Sequence, residues 1–266
     1  MERIRYWLGV CICAWVIAMP GYGVAAATLH AIYVADTTDP IVGTSTQVDL
    51  AHICPLINAA ATVTGLEYRP MTFSGSQFSM GAVQSYMQQM QVGRDDVVFF
   101  YFSGHGTRDV SKGSQWPDLF FRLDQSAVDL EFVAKGISWM RPRLALVIAD
   151  CCNNVMGDKA VRRSLQSSEL DDRAIDNLMR LFMQSRGVWL AAGASPGQFS
   201  YADNSGGYYT TALLQSFNYG LLYSHSLQWQ DIFEVAGWTL EGVQTPIYQL
   251  WQPNIRSAEA VADQAA

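Results

Sequence analysis

Short apolar runs alternate with amphipathic segments along most of this chain. Two of the runs contain six consecutive apolar residues each, at positions 97–102 and 144–149. Runs of this length, rich in β-branched and aromatic side chains, are typical of strands that are buried on both faces of a parallel sheet. Segments with helical periodicity lie between the runs, for example at 49–62, where the apolar residues share one face.

The pattern predicts an ordered series of strands and helices. Strands are predicted over residues 29–35, 66–73, 97–102, 144–149, 188–192 and 246–250, and helices over residues 49–62, 80–90, 128–140, 210–217 and 229–240. Strands separated by helices indicate an α/β fold, with a mostly parallel central sheet covered by helices on both faces. There is no internal repeat and no linker rich in Pro, Gly or Ser, so we expect one folded domain at residues 28–256.

The amino terminus has the features of an export signal, and we expect residues 1–27 to be a signal peptide. Arg3 and Arg5 precede an apolar stretch of 14 residues at 6–19, and small residues follow at 25–27. That stretch is shorter than the roughly 17–25 residues of a membrane-spanning helix. We therefore predict cleavage before Thr28, an exported protein and no membrane attachment afterwards; the alternative is an uncleaved amino-terminal anchor. The Ala-rich tail at 257–266 is expected to be disordered.

Composition and cysteine content narrow the functional classes. The formal net charge is −7 over 266 residues, and no Lys/Arg stripe is present, which argues against a nucleic-acid-binding protein. An acidic enzyme favours cationic substrates. Export would leave Cys54, Cys151 and Cys152, an odd number that argues against a disulfide framework. Cys54 lies in an apolar helical stretch and is expected to be a buried small hydrophobe.

The two longest apolar runs lead into chemically reactive residues. His105 follows the run at 97–102, and Cys151 and Cys152 follow the run at 144–149. In open α/β sheets, ligands bind beyond the carboxyl ends of the strands. A histidine can act as the base and a cysteine as the nucleophile, so the sequence predicts a cysteine hydrolase. Alternatively, His105 is held by backbone hydrogen bonds and the cysteines are buried packing residues. Neighbours on a strand face opposite sides, so only one of the two cysteines can point towards His105.

Two motifs resemble those of the caspase, metacaspase and paracaspase group of cysteine peptidases. Ser-Gly-His-Gly at 103–106 and Asp-Cys-Cys at 150–152 match the motifs of metacaspases and bacterial orthocaspases most closely. The reactive positions are 152 − 105 = 47 residues apart, close to the roughly 50-residue spacing in caspases. The resemblance implies a caspase-like three-layer sandwich, with Cys152 as nucleophile and His105 as base. It also implies an oxyanion hole formed by the N–H groups of Gly106 and Cys152. No third residue that would orient His105 is evident.

The same resemblance bears on substrate specificity. Asp150 matches the metacaspase Asp that helps to bind Arg or Lys before the scissile bond, and Asp49 matches its partner. Ser103 matches a residue that lines the same pocket. Carboxylates can bind a guanidinium group through charge-assisted hydrogen bonds. The resemblance therefore implies a cysteine endopeptidase that acts on peptides or proteins with a basic residue before the cleaved bond. A residue at the start of a helix, stabilised by the helix dipole, is the alternative interpretation of Asp49.

The chain departs from the family pattern after the nucleophile, where Asn153 and Asn154 replace the usual His-Ser. This departure leaves open an inactive caspase-like domain that acts as a peptide-binding or scaffold module; another thiol hydrolase on a similar sheet is a third possibility. The polar segment at 153–172 matches a loop that is cut in some members, or is an ordinary surface loop.

Thr210 is expected to be the N-cap of the predicted helix at 210–217.

No cofactor is expected to be required, and no metal site is assigned. Calcium activates many metacaspases, but no segment of this chain has the spacing of an EF-hand loop. Five acidic residues are the available candidate calcium ligands, and scattered surface acids are the simpler interpretation. These residues are Asp118, Asp124, Asp129, Asp171 and Asp172.

Overall fold

The computed structural model describes residues 26–154 and 171–251. Most of the predicted signal peptide, the centre of the segment at 153–172 with Lys159, Arg162 and Arg163, and the tail at 257–266 lie outside these residues. The strands are β1 (Thr28–Ala35), β2 (Glu67–Ser74), β3 (Val97–Ser103), β4 (Gly106–Thr107), β5 (Asp118–Phe121), β6 (Ser126–Asp129), β7 (Leu144–Asp150), β8 (Gly187–Ala192), β9 (Ala202–Asp203), β10 (Gly206–Gly207) and β11 (Ile247–Trp251). The helices are α1 (Gly43–Thr64), α2 (Met80–Gln89), α3 (Leu130–Met140), α4 (Asp172–Met179), α5 (Tyr208–Tyr223) and α6 (Trp229–Thr239).

A six-stranded sheet forms the centre of the molecule, with the order β11-β8-β7-β3-β1-β2. Its neighbouring strands are parallel except for β11, which runs antiparallel to β8. The two long apolar runs are the adjacent strands β3 and β7, and every residue of both strands is buried. Their register places Ser103 opposite Asp150, so that the two predicted motifs meet at the carboxyl edge of the sheet.

Helices cover both faces of the sheet, and the side chains of each strand alternate between the two resulting cores. Phe99, Tyr101 and Ile148 belong to the core that contains residues of α1, α4, α5 and α6. Phe100 and Val147 belong to the opposite core, beneath α2, α3 and the small sheet formed by β4, β5 and β6. The expected α/β fold of three layers is therefore confirmed. Among the described residues, no helix has the length and apolar character that are needed to span a bilayer.

Helix α1 begins six residues before the predicted start. Its first turns, from Gly43 to Val48, lack the apolar spacing that revealed the rest of the helix. Before the helix, the Asp39 carboxylate accepts the N–H groups of Ile41 and Val42 at 2.8 and 2.9 Å. Asp49 consequently lies in the second turn, and its interpretation as a residue at the start of the helix is wrong.

The largest part of the fold that the pattern missed lies between the two motifs. Strands β4, β5 and β6 form a small antiparallel sheet of two to four residues per strand. These strands are too short to show a clear alternation, and the predicted helix at 128–140 began two residues early because it included the end of β6. Helix α4, followed by a π-helical turn at Arg180–Gln184, and the two-residue strands β9 and β10 were also not predicted.

Candidate active site

The two neighbouring cysteines at the end of β7 lie in different environments. Cys151 is 2 % exposed and belongs to the core beneath α2 and α3, whereas Cys152 is only partly buried. Burial raises the pKa of the Cys151 thiol well above its usual value, which makes this thiol a poor nucleophile. The Cys152 Sγ donates a hydrogen bond to the Ser200 carbonyl oxygen at 3.5 Å. Of the two thiols, Cys152 is the one that a substrate can reach.

The segment that carries His105 lies directly beside the segment that carries the cysteines. Gly104 donates its N–H to the Asp150 carbonyl oxygen at 3.3 Å. A Cβ on Gly106 would lie 2.7 Å from the Cys151 Sγ, and closer still to the Cys152 carbonyl oxygen. Only glycine therefore permits this approach between the two segments, and the sheet brings the predicted histidine and cysteine to the same edge.

The backbone of Gly106 is oriented by its pairing with β5. Gly106 lies opposite Leu119, and Phe120 donates its N–H to the His105 carbonyl oxygen at 3.0 Å. In an antiparallel pair this bond makes Gly106 and Leu119 a non-hydrogen-bonded pair, so the N–H of Gly106 points away from β5. The orientation leaves this N–H group outside the ladder of the small sheet.

His105 has a carboxylate neighbour that the sequence did not reveal. The Nε2 atom of His105 lies 3.2 Å from the Oδ1 atom of Asp39, and the two side chains are 17 % and 5 % exposed. The Oδ2 atom of Asp39 lies 3.3 Å from Nε of Arg122. Asp39 lies in the loop between β1 and α1. The sequence feature that could have identified Asp39 is its position four residues after β1, which places it at the same edge of the sheet as His105.

Asp49, Ser103 and Asp150 lie together on the side of the sheet that α1 and α5 cover. The Asp49 carboxylate accepts the Ser103 hydroxyl at 2.6 Å and the Gly207 N–H at 2.8 Å. The Asp150 carboxylate accepts the Ser200 hydroxyl at 2.6 Å, and both the N–H and the hydroxyl of Thr210 at 2.8 Å. The three residues that the resemblance assigned to one pocket are therefore neighbours in the structure.

Thr210 does not cap a helix as predicted. Helix α5 begins at Tyr208, two residues earlier, with Gly207 at the N-cap position. Thr210 is instead buried in the first turn, where its N–H and hydroxyl groups both bind Asp150. Its contribution is to the acidic site and not to the helix terminus.

The two carboxylates are close enough to influence each other's charge. Burial, and after it the negative charge of Asp150, raise the pKa of Asp49 to about 7. Burial also raises the pKa of Asp150, although the hydrogen bonds from Ser200 and Thr210 oppose the shift. Within residues 26–154 and 171–251, no Lys, Arg or His forms an ion pair with either carboxylate. Among the described residues, this buried acidic pair therefore has no cation partner.

Gly207 fits between the two carboxylates. A Cβ at this position would lie 2.8 Å from Cγ of Asp150 and 3.1 Å from Oδ2 of Asp49, and closer to Oδ2 of Asp150. The start of α5 can approach the acidic pair this closely only because residue 207 has no side chain.

Comparison with known proteins identifies the family of this chain. The sequence matches the caspase domain family over residues 61–248, which is more than half of the chain. The chain belongs to the caspase domain family. It is thus a caspase-fold, peptidase-like protein, related at the family level to cysteine peptidases. No curated protein matches the sequence.

Two solved structures share the caspase fold with this chain. Caspase-1 from Spodoptera frugiperda is 13 % identical, with a TM-score of 0.51, and the match covers 84 % of this chain and 86 % of that one. The protein GSU0716 from Geobacter sulfurreducens is 15 % identical, with a TM-score of 0.53, and the match covers 84 % of this chain and 92 % of that one. At these identities the likeness concerns the fold alone.

Asn153 is fully buried and anchors the segment after Cys152. It is one of the two residues that depart from the motif expected after the cysteine. Its Nδ2 donates to the carbonyl oxygens of Gln115 and Ala194 at 2.9 and 3.1 Å, and its Oδ1 accepts from Arg108 at 3.2 Å. The Arg108 guanidinium also donates to three carbonyl oxygens of residues 112–116. The hydrogen bond between Arg108 and Asn153 therefore joins the segment after His105 to the segment after Cys152.

Four of the five acidic residues considered as calcium ligands have other contacts. Asp118 and Asp129 both form ion pairs with Lys112. Asp124 accepts the hydroxyl of Ser79 and the N–H of Met80 at the start of α2. Asp171 accepts the N–H of Ala174 as the N-cap of α4, and Asp172 is in the first turn of that helix. Within the described parts of the chain, no group of three His, Cys, Asp or Glu could hold a metal ion.

Proposed function

We propose that this chain is a cysteine endopeptidase that uses Cys152 and His105 and cleaves after Arg or Lys. The observation that carries the proposal is the buried acidic pair of Asp49 and Asp150, whose second member lies two residues before the partly exposed Cys152. An acidic pair that has no cation among the described residues is costly to bury, and a cationic side chain from a substrate would offset that cost.

The proposed chemical steps use these groups in turn. His105 takes the proton from the Cys152 Sγ, and the thiolate attacks the carbonyl carbon of the scissile peptide bond. The negative oxygen of the tetrahedral intermediate accepts hydrogen bonds from the N–H groups of Gly106 and Cys152. The C–N bond then breaks, His105 gives its proton to the leaving amine, and a thioester remains on Cys152. Water, deprotonated by His105, hydrolyses the thioester and restores the thiol.

The preference for a basic residue rests on acceptor capacity as well as on charge. A carboxylate offers about four lone-pair sites. The protein donors occupy three on Asp150 and up to three on Asp49, where the Tyr101 hydroxyl joins Ser103 and Gly207. A guanidinium or ammonium group can use the remaining sites through charge-assisted hydrogen bonds. An acidic side chain would meet two carboxylates and be repelled.

The test uses reduced protein from Thr28 to Ala266 and fluorogenic peptides that end in Arg, Lys or Asp, with and without calcium. Cleavage after Arg and Lys is expected, without activity in Cys152→Ala and with activity in the matched control Cys151→Ala. Asp150→Asn and Asp49→Asn should raise KM for the basic peptides. Cleavage after Asp would overturn the specificity. The absence of cleavage in every condition would favour a peptide-binding or scaffold module.

We also propose that the chain is exported, with cleavage before Thr28. The proposal is supported by the start of β1 at Thr28, whose backbone nitrogen lies 2.8 Å from the Oδ1 atom of Asp96. A new α-ammonium group at this position would meet a carboxylate. Mass spectrometry of the full chain after expression with an export machinery should give a mature form that begins at Thr28. An intact amino terminus in the membrane fraction would favour the anchored alternative.

A further inference from the structure

The side chain of Asp39 is fixed independently of its histidine neighbour. Its Oδ1 atom accepts the N–H groups of Ile41 and Val42 at 2.8 and 2.9 Å, and the same atom lies 3.2 Å from Nε2 of His105. The side chain is almost fully buried. The two backbone hydrogen bonds therefore hold the carboxylate in one position, against one ring nitrogen of the histidine.

Asp39 carries a negative charge in this position. Burial acts to raise its pKa, but the N–H groups of Val42 and Ile41, together with the neighbouring His105, keep that pKa below its usual value. On the far side of the carboxylate, Arg122 lies 3.3 Å from Oδ2 of Asp39. That arginine also donates to both carboxylate oxygens of Asp36 at 3.0 Å. The Asp39 carboxylate is thus a stable anion between His105 and Arg122, and the positive charge of Arg122 is already paired with Asp36.

We propose that Asp39 is a positioning residue that fixes the ring of His105, with the proton on Nε2 and with Nδ1 free to accept the proton of the Cys152 thiol. The inference rests on the proposed function only in taking Cys152 as the nucleophile. A carboxylate against Nε2 favours the tautomer protonated there, because the other tautomer would present a lone pair to the anion.

The same carboxylate stabilises the charged intermediate of the proton transfer. When the proton moves from Sγ of Cys152 to Nδ1 of His105, a thiolate and an imidazolium form, and no bond to Asp39 is made or broken. The imidazolium then lies against an anion that was in place before the transfer, so little reorganisation is needed. Asp39 would thus be the residue that orients His105, which neither sequence motif identified.

A role in fixing the turn before α1 is the competing explanation, and Asp39→Asn separates the two. Asparagine can also accept the N–H groups of Ile41 and Val42, so the turn is retained while the charge is lost. The matched control is Asp36→Asn, which removes a buried carboxylate of the same charge, bound to the same arginine; among the described residues, Asp36 forms no hydrogen bond or ion pair with His105.

The primary measurement is the rate at which iodoacetamide alkylates Cys152, followed by peptide mass spectrometry on the reduced chain from Thr28 to Ala266. At pH 6.5 the rate should fall about tenfold or more in Asp39→Asn, because the thiolate loses its stabilised imidazolium partner. Asp36→Asn should stay close to wild type, and Cys152→Ala gives the background from the other thiols. With an Arg-ended peptide, Asp39→Asn should lower kcat and leave KM unchanged.

Two outcomes overturn the proposal, and neither depends on finding a peptide substrate. Equal alkylation rates in Asp39→Asn and wild type would reduce Asp39 to a residue that fixes the turn before α1, and so would an equal loss in Asp36→Asn. If Asp39→Asn unfolds, Asp39→Ser, which also provides an acceptor oxygen for the turn, is measured in its place. Alkylation that depends on Asp39 in a protein that cleaves no peptide would support the positioning role and count against the peptidase proposal.

Discussion

The raised pKa of Asp49 predicts how the stability of this protein depends on pH. Burial and the charge of Asp150 raise that pKa from 3.8 to about 7. Between these two values the folded protein binds a proton that the unfolded chain releases, and the free energy of unfolding therefore falls as the pH rises. The contribution is fully present below about pH 4 and is lost as the pH passes through about 7.

The size of the effect follows from the shift. One pKa unit corresponds to about 1.36 kcal/mol, so a shift of about three units corresponds to roughly 4 kcal/mol as an upper bound, of which about 3 kcal/mol falls between pH 5 and pH 8. Asp49→Asn removes this titration and keeps a side chain that can bind Ser103. The free energy of unfolding of the variant minus that of its parent should therefore be about 3 kcal/mol larger at pH 8 than at pH 5.

The assay is urea unfolding at four pH values from 5 to 8, in a Cys152→Ala background that excludes self-cleavage. Asp176→Asn serves as the control, because it removes the same charge from an exposed position on α4, and its profile should run parallel to that of the parent protein. If the difference between Asp49→Asn and its parent is the same at pH 5 and pH 8 within about 0.5 kcal/mol, the reasoning on the acidic pair is refuted.

Three further predictions concern the backbone and the thiols around the nucleophile. Gly106→Ala should abolish peptidase activity and lower the melting temperature, because its Cβ would overlap the Cys152 carbonyl oxygen; a fully active variant would contradict this packing. Asn153→Ala should cost about 1–3 kcal/mol in urea unfolding, because Arg108 loses an acceptor and the carbonyl oxygens of Gln115 and Ala194, the second of them buried, lose their donor; an unchanged midpoint would argue against the anchor. In native protein, iodoacetamide should modify Cys152 much faster than Cys151, since burial disfavours the Cys151 thiolate; equal rates by mass spectrometry would reject the assignment.

The central sheet and one half of the site could be predicted from the sequence because their signals are local. The runs at 97–102 and 144–149 are entirely apolar, and a strand of this kind can only be central in a covered sheet. Once the strands are adjacent and in register, the residues that end them must meet. For this reason the neighbourhood of Ser103 and Asp150 followed from two short motifs.

The rest of the site depends on contacts between distant segments, which leave no periodic signal. Asp39 looks like any polar loop residue until α1 and β3 place it beside His105. Threonine is a common N-cap residue, but both donors of Thr210 bind the buried carboxylate of Asp150. Asn153 looked like a departure from a motif, and only the folded chain reveals that it anchors Arg108. In each case a tertiary hydrogen bond decided the role.

The acidic pair is the feature of the site that folding alone does not explain. The hydrogen bonds to Asp49 and Asp150 do not require a charge, because neutral acceptors would satisfy many of the same donors. The charge of the pair opposes folding at neutral pH and has no cation partner in the described parts of the chain. A cation bound between the carboxylates would offset that cost, and in the proposed function a basic substrate residue supplies the cation beside Cys152.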